Sequence, residues 1–102
     1  MGGIRILAHP SAAWPRDTVA FARRQIQFAV GRFAGRVRSL SVRLTQVSRP
    51  EGGVDRQCVI AVRLQRRPDA IVVEDSDRSA PVAIARAAER VSRAVARAVQ
   101  VD

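Results

Sequence analysis

SLSVRLTQVS (39–48) and RQCVIAVRLQ (56–65), separated by the turn PEGG (50–53), decide how this chain folds. In the first run Leu40, Val42 and Leu44 alternate with Ser41, Arg43 and Thr45. In the second, Cys58, Ile60, Val62 and Leu64 form the apolar set. A repeat of two is the signature of a strand with one face in a core. Pro-Glu-Gly-Gly is a strong turn signal between them. Arg67-Pro68-Asp69 makes the next turn, and AIVVED (70–75) reads as a further strand.

Outward from these strands the period changes to that of a helix. From Ser79 to Val101 the chain reads SAPVAIARAAERVSRAVARAVQV. At ~100° per residue, Ile84, Ala88, Val91, Val95 and Ala98 share one face. Arg86, Arg90, Arg93 and Arg97 fall within an arc of roughly 60° opposite. Ser79 is the expected N-cap, with Pro81 in the first turn. On the other side, Pro15 and Asp17 suit a helix start. Val19, Ala22, Ile26, Ala29, Val30, Phe33 and Val37 then form an apolar stripe, with the helix ending near Gly35. IRILAH (4–9) reads as a short strand broken by His-Pro-Ser.

The expected order is β-α-β-β-β-α, an α+β two-layer sandwich: a four-stranded sheet with two helices on one face. Its first two strands are expected to be parallel across a right-handed crossover. No repeat or long linker divides the chain, so residues 1–102 are expected to form one domain.

Charge dominates the composition. Eighteen basic residues oppose nine acidic ones, a net +9. Every basic residue is an arginine, and the chain has no Lys, Asn or Tyr. Such a surplus favours nucleic acid or another anionic surface. Each guanidinium is a planar, permanently charged fork that can hold a phosphate through two bonds. The spaced arginines of the last helix suit a polyphosphate backbone better than a small substrate.

Several classes are disfavoured. No run approaches ~20 apolar residues, so no membrane span is expected. MGGIRILAHP lacks a signal peptide's apolar centre, and Ile6 stands where a myristoylation signal needs Ser or Thr. A single cysteine, Cys58, excludes an intrachain disulfide. A cytoplasmic protein is the expectation. His9 and Cys58 cannot complete a zinc site, which wants four ligands. Glu74, Asp75 and Asp77 read as a helix-entry cluster, not a cation site. No phosphate-binding glycine loop or nucleophile-base pair is present. Neither enzyme activity, a metal, a cofactor nor a small-molecule substrate is expected.

Three segments together resemble the short ribosome hibernation promoting factors, also called ribosome-associated inhibitors or sigma-54 modulation proteins. They are FAGRVRSLSVRL (33–44), the strand pair CVIAVRL (58–64) with AIVVEDSD (70–77), and AIARAAERVSRAVAR (83–97). The resemblance spans roughly residues 4–98. It implies both helices on one side of the sheet. It also implies a translation inhibitor that occupies the decoding channel of the small ribosomal subunit by gripping rRNA. Arg86, Arg90, Arg93 and Arg97 match the basic positions of that family's final helix, and Arg23 and Arg24 resemble basic positions in helix one. Pro81 replaces a common aromatic residue, and Ala85 stands where an acid is frequent. The further domain of longer relatives, which pairs ribosomes, is not expected here.

The candidate nucleic-acid contacts are therefore Arg86, Arg90, Arg93, Arg97, Arg23, Arg24 and Arg32. Glu89 is the one acid within this arginine-rich helix. Phe21 and Phe28, two turns apart with Arg24 and Arg32 beside them, read as stacking or partner contacts opposite the apolar stripe. Trp14 reads as a lid on the core. Leu7, Val59 and Val72 on the open sheet face offer a surface for a weak homodimer. Two alternatives stay open: a protein-interaction or homo-oligomeric module, and an RNA-binding domain unrelated to ribosomes.

Overall fold

The computed structural model describes the backbone of residues 5–8 and 14–101, and side chains from Trp14 to Gln100. The elements are β1 (Arg5–Ala8), α1 (Arg16–Val30), a 3-10 segment (Gly31–Arg36), β2 (Val37–Ser48), β3 (Val54–Leu64), β4 (Ala70–Asp77) and α2 (Ala80–Val101). The strands lie in the order β1-β2-β3-β4.

The chain is α+β, but the expected four-stranded sandwich needs correction. The body of the sheet is a three-stranded antiparallel meander, β2-β3-β4, with 12, 11 and 8 residues. The short strand read at residues 4–9 is a four-residue parallel segment on the edge of β2, from Arg5 opposite Ser41 to Ala8 opposite Leu44, and not a full member of the sheet. Antiparallel neighbours are joined by tight turns and pair along their full length, whereas a parallel neighbour depends on a long crossover. The crossover differs too. α1 gives way at Gly31 to a six-residue 3-10 segment that runs to Arg36, directly before β2.

The turns explain the meander. Gly52 and Gly53 adopt φ of 101° and 81°, which a side chain would strain. Arg49 N–H donates to the Gly53 carbonyl at 3.1 Å and Gly52 N–H to the Arg49 carbonyl at 3.0 Å. The Arg49 guanidinium braces the turn from 3.1 Å off Glu51 and 3.6 Å off Asp55. The β3-β4 turn contains Arg66 at φ 65°, while Gln65 N–H donates to the Arg36 carbonyl at 2.8 Å.

One hydrophobic core lies between sheet and helices. Val42, Ile60 and Val73 stand in one row across the three antiparallel strands. They are buried with Leu40, Leu44, Cys58, Val62 and Leu64. Ala22, Ile26 and Val30 of α1 and Ile84, Ala88, Val91 and Val95 of α2 close the same core. Ala29, Phe33 and Ala98 are only half-buried at its margin. Trp14 packs against the core with the Arg56 guanidinium 5.6 Å from its ring centre.

Ile60 is fully buried on the central strand of the meander. Truncation there leaves a cavity that packed neighbours cannot fill. Ile60→Ala is expected to cost about 3–4 kcal/mol of a total near 5–15. Val72 is 60% exposed on the neighbouring strand, and Val72→Ala is expected to stay within about 0.5 kcal/mol. Urea midpoints of the two variants check the difference.

Candidate nucleic-acid interface

α2 begins where its sequence says it should. Val82 N–H donates to Ser79 Oγ at 3.4 Å, and Ser79 N–H donates to Asp77 Oδ2 at 2.8 Å. The apolar stripe of α2 faces the sheet, which sets its arginines along the flank beside β4. There Arg90, Arg93 and Arg97 gather around a recess of about 230 Å³ whose remaining lining is Val73 and Ala94. Three permanently charged forks around one recess form a site for an anion with several oxygens.

The arginines are not equivalent. Glu89 was the one acid expected beside them, and the strand supplies two more. Strand alternation puts Val73, Asp75 and Asp77 on the face that meets α2. Arg86 lies 2.9 Å from Asp75 Oδ1 and 3.3 Å from Asp77 Oδ1, and donates to the Ser76 carbonyl at 2.9 Å. Arg90 donates to the Glu74 carbonyl, with Asp75 Oδ2 at 3.9 Å. β4 is the last strand of the sheet, so carbonyls on its free side have no ladder partner. Arg86 and Arg90 thus seal part of that edge. Arg93 pairs with Glu89 at 2.8 Å one turn away, with both side chains about two-thirds exposed. A pair so exposed is weak and screened by salt. Arg97 has no partner among the described residues.

On α1, Arg23 and Arg24 are exposed. Arg32 lies in the 3-10 segment, its guanidinium 4.6 Å from the Phe33 ring centre. The two phenylalanines part company. Phe28 is 91% exposed, as the helical count requires. Phe21 is half-buried and packs against the core, so it is not on the outward surface assigned to it. A long ring near a helix start leans over the preceding turn and can leave the arc that its Cα occupies.

Phe28 is the rim of a groove between the helices. Gln25, Phe28 and Ala29 of α1 and Ala85, Ala88, Glu89, Ser92 and Arg93 of α2 enclose about 580 Å³. Arg93 therefore lines both the groove and the anion recess. Arg86 and Phe21 line neither.

Sequence reasoning missed a third basic place. Gly35, Arg36, Gln65, Arg66 and Arg67 line a cavity of about 670 Å³. Arg67 also donates to the Ala98 carbonyl at 2.8 Å, capping the negative end of α2. The doublet Arg66-Arg67 before Pro68 was the available signal.

Other candidates stay structural. Cys58 is buried. Desolvation, then the nearby Asp75 charge, pushes its thiol up to about 12. No cluster of three His, Cys, Asp or Glu side chains that could hold a metal occurs among the described residues. No described helix is long and apolar enough to cross a membrane. On the open sheet face, Thr45 Oγ1 donates to Gln57 Oε1 at 3.1 Å, Val59 and Ala61 are half-buried and Val72 is exposed. His9 and the Leu7 side chain lie outside the described residues.

No family model and no curated protein matches the chain. Among solved structures it is similar to the crystal structure of the Thermus thermophilus Protein Y N-terminal domain. The likeness has a TM-score of 0.68 at 18% identity, over 93% of this chain and 97% of that one. At so low an identity the shared property is the fold alone, over nearly the full length of both chains.

Proposed function

We propose that this protein is a ribosome-binding translation inhibitor of the hibernation type, holding the decoding channel of the small subunit through rRNA phosphates. The observation that carries this reading is the gathering of Arg90, Arg93 and Arg97 around one recess. Arg97 has no partner there and Arg93 has only an exposed one. The net charge of +9 supports it, because a surplus of this kind speeds encounter with a polyanion. The family resemblance over residues 33–44, 58–64, 70–77 and 83–97 supplies the ribosome, and the fold shared with the Protein Y domain agrees with it. Arg23 and Arg24 on α1 and Arg32 in the 3-10 segment extend the contact. Arg86 is set aside as a contact, since strand carboxylates already hold it.

Co-sedimentation with separated ribosomal subunits at graded salt tests this. About five arginine-phosphate contacts give a log-log salt slope near −3.5 to −4.5. Binding is expected to be confined to the small subunit and displaced by mRNA. A steep slope without subunit preference would instead support an RNA-binding domain unrelated to ribosomes. A slope near zero, with salt-resistant self-association through the face around Val72, would support the interaction-module alternative.

A further inference from the structure

The groove between α1 and α2 has a chemistry that charge alone does not use. Phe28 is 91% exposed, against 41–60% for the other exposed large apolar side chains among the described residues. Its ring stands beside Ala29, Ala85 and Ala88, which raise nothing bulkier than a methyl group from the groove. Gln25 and Ser92 lie along the same groove, half-buried. Their side chains make no hydrogen bond within the described residues. One is a carboxamide that donates and accepts, the other a hydroxyl that does both. Arg24 lies one turn before Phe28 on α1 and has no partner among the described residues, and Arg93 lines the α2 side.

We infer that this groove takes one unpaired nucleobase of an RNA strand, stacked on Phe28 and hydrogen-bonded by Gln25 and Ser92, with Arg24 and Arg93 on the flanking phosphates. The inference rests on the RNA-binding reading above and adds to it that the bound strand is single. An aromatic face beside cationic side chains is how proteins hold unpaired bases, because every base has a face to stack. Two other occupants fit less well. A partner helix wants a broad apolar stripe, and the groove has one large apolar side chain among alanines and polar groups. A second copy placed across the groove would bring Arg24 and Arg93 of both chains together, each chain already at +9.

The test compares three RNAs of equal phosphate number by fluorescence anisotropy at 0.1 M salt. They are a single strand, the same strand with abasic sites, and a duplex. The full chain, Phe28→Ala, Phe28→Trp and Gln25→Ala are each titrated. Phe28 is so exposed that its replacement should leave the melting temperature unchanged. The full chain should prefer the intact single strand. Phe28→Ala should lose roughly 5- to 150-fold on that strand, the range for one stacked base, and nothing on the abasic strand or the duplex. Phe28→Trp should retain the preference, and Gln25→Ala should reduce it less than Phe28→Ala. Equal binding of the single strand by the full chain and Phe28→Ala would overturn the inference while leaving RNA binding intact. A dimer that Phe28→Ala abolishes in light scattering would overturn it in favour of a second copy. No binding of any RNA by the full chain would strike down the nucleic-acid reading together with this inference.

Discussion

Reversing Arg93 and Arg97 to glutamate is expected to lower ribosome affinity at least about 100-fold at 0.1 M salt while leaving the fold nearly as stable as before. The two positions combine exposure with weak internal commitment. Arg97 has no partner among the described residues, and Arg93 gives up only its surface pair with Glu89. Such a pair contributes about 0.3–0.5 kcal/mol. A guanidinium on a phosphate is worth roughly 1.5–3 kcal/mol, about tenfold or more for each contact. Reversal also changes the recess from three positive groups to one positive and two negative, so phosphate is repelled. Arg86→Glu is the matching control. It sets a carboxylate against Asp75 and Asp77 and leaves the Ser76 carbonyl without its donor. That variant is expected to lose about 1–3 kcal/mol of stability. Its melting point should fall by roughly 5–15 °C. Its small-subunit affinity should drop far less than that of the double variant. Co-sedimentation and thermal melts on both proteins separate an arginine that builds the edge of the sheet from arginines that face a partner. The single reversal makes half the change in charge, so a loss in log affinity about half that of the double variant would make charge, not position, the cause.

The same contrast shows how much was legible in the chain. The meander was readable because each strand carries its own period: Leu40, Val42 and Leu44, then Cys58, Ile60, Val62 and Leu64, all lie on the buried face. The stripe of α2 was readable for the same reason, and so was its start at Ser79. These are local facts, settled by which residues lie two, three or four apart. That β1 meets the meander only as an edge segment was not readable, because a parallel neighbour pairs only as far as the crossover delivers it. The partners of Arg86 were hidden as well. Asp75 and Asp77 are eleven and nine residues away, on a different element. The contact depends on where α2 settles across β4, an offset that no periodicity encodes. Phe21 failed through its length, since a helical angle locates Cα and not the end of a ring. The anion recess was half legible. The spacing of Arg90, Arg93 and Arg97 was in the sequence, but Val73 beneath them and the loss of Arg86 to the strand were matters of packing.

Alkaline pH is expected to weaken this fold through a single side chain. Cys58 is 1% exposed, and burial together with the Asp75 charge pushes its thiol up to about 12 from an ordinary 9.0. In the folded chain the thiol keeps its proton through the range in which the unfolded chain loses it. The unfolded state therefore binds fewer protons between pH 9 and 12, and stability falls as pH rises across that window. From pH 8 to pH 11 the loss should reach about 2–3 kcal/mol, or roughly 10–20 °C in melting temperature. Ordinarily such a limb is blurred by lysines and tyrosines. This chain has neither, and its eighteen arginines stay charged throughout. Cys58→Ala isolates the effect. Removing the sulfur from a packed strand should cost about 1 kcal/mol at pH 7. The variant has no thiol to titrate, so its stability should remain nearly level to pH 11 while the parent declines. The two curves should cross near pH 10, and the thiol of the parent should resist alkylating reagents until the chain unfolds. Parallel decline of both proteins would mean that the alkaline limb belongs to some other group, and that the carboxylate of Asp75 and the surrounding core do not hold Cys58 in its neutral form.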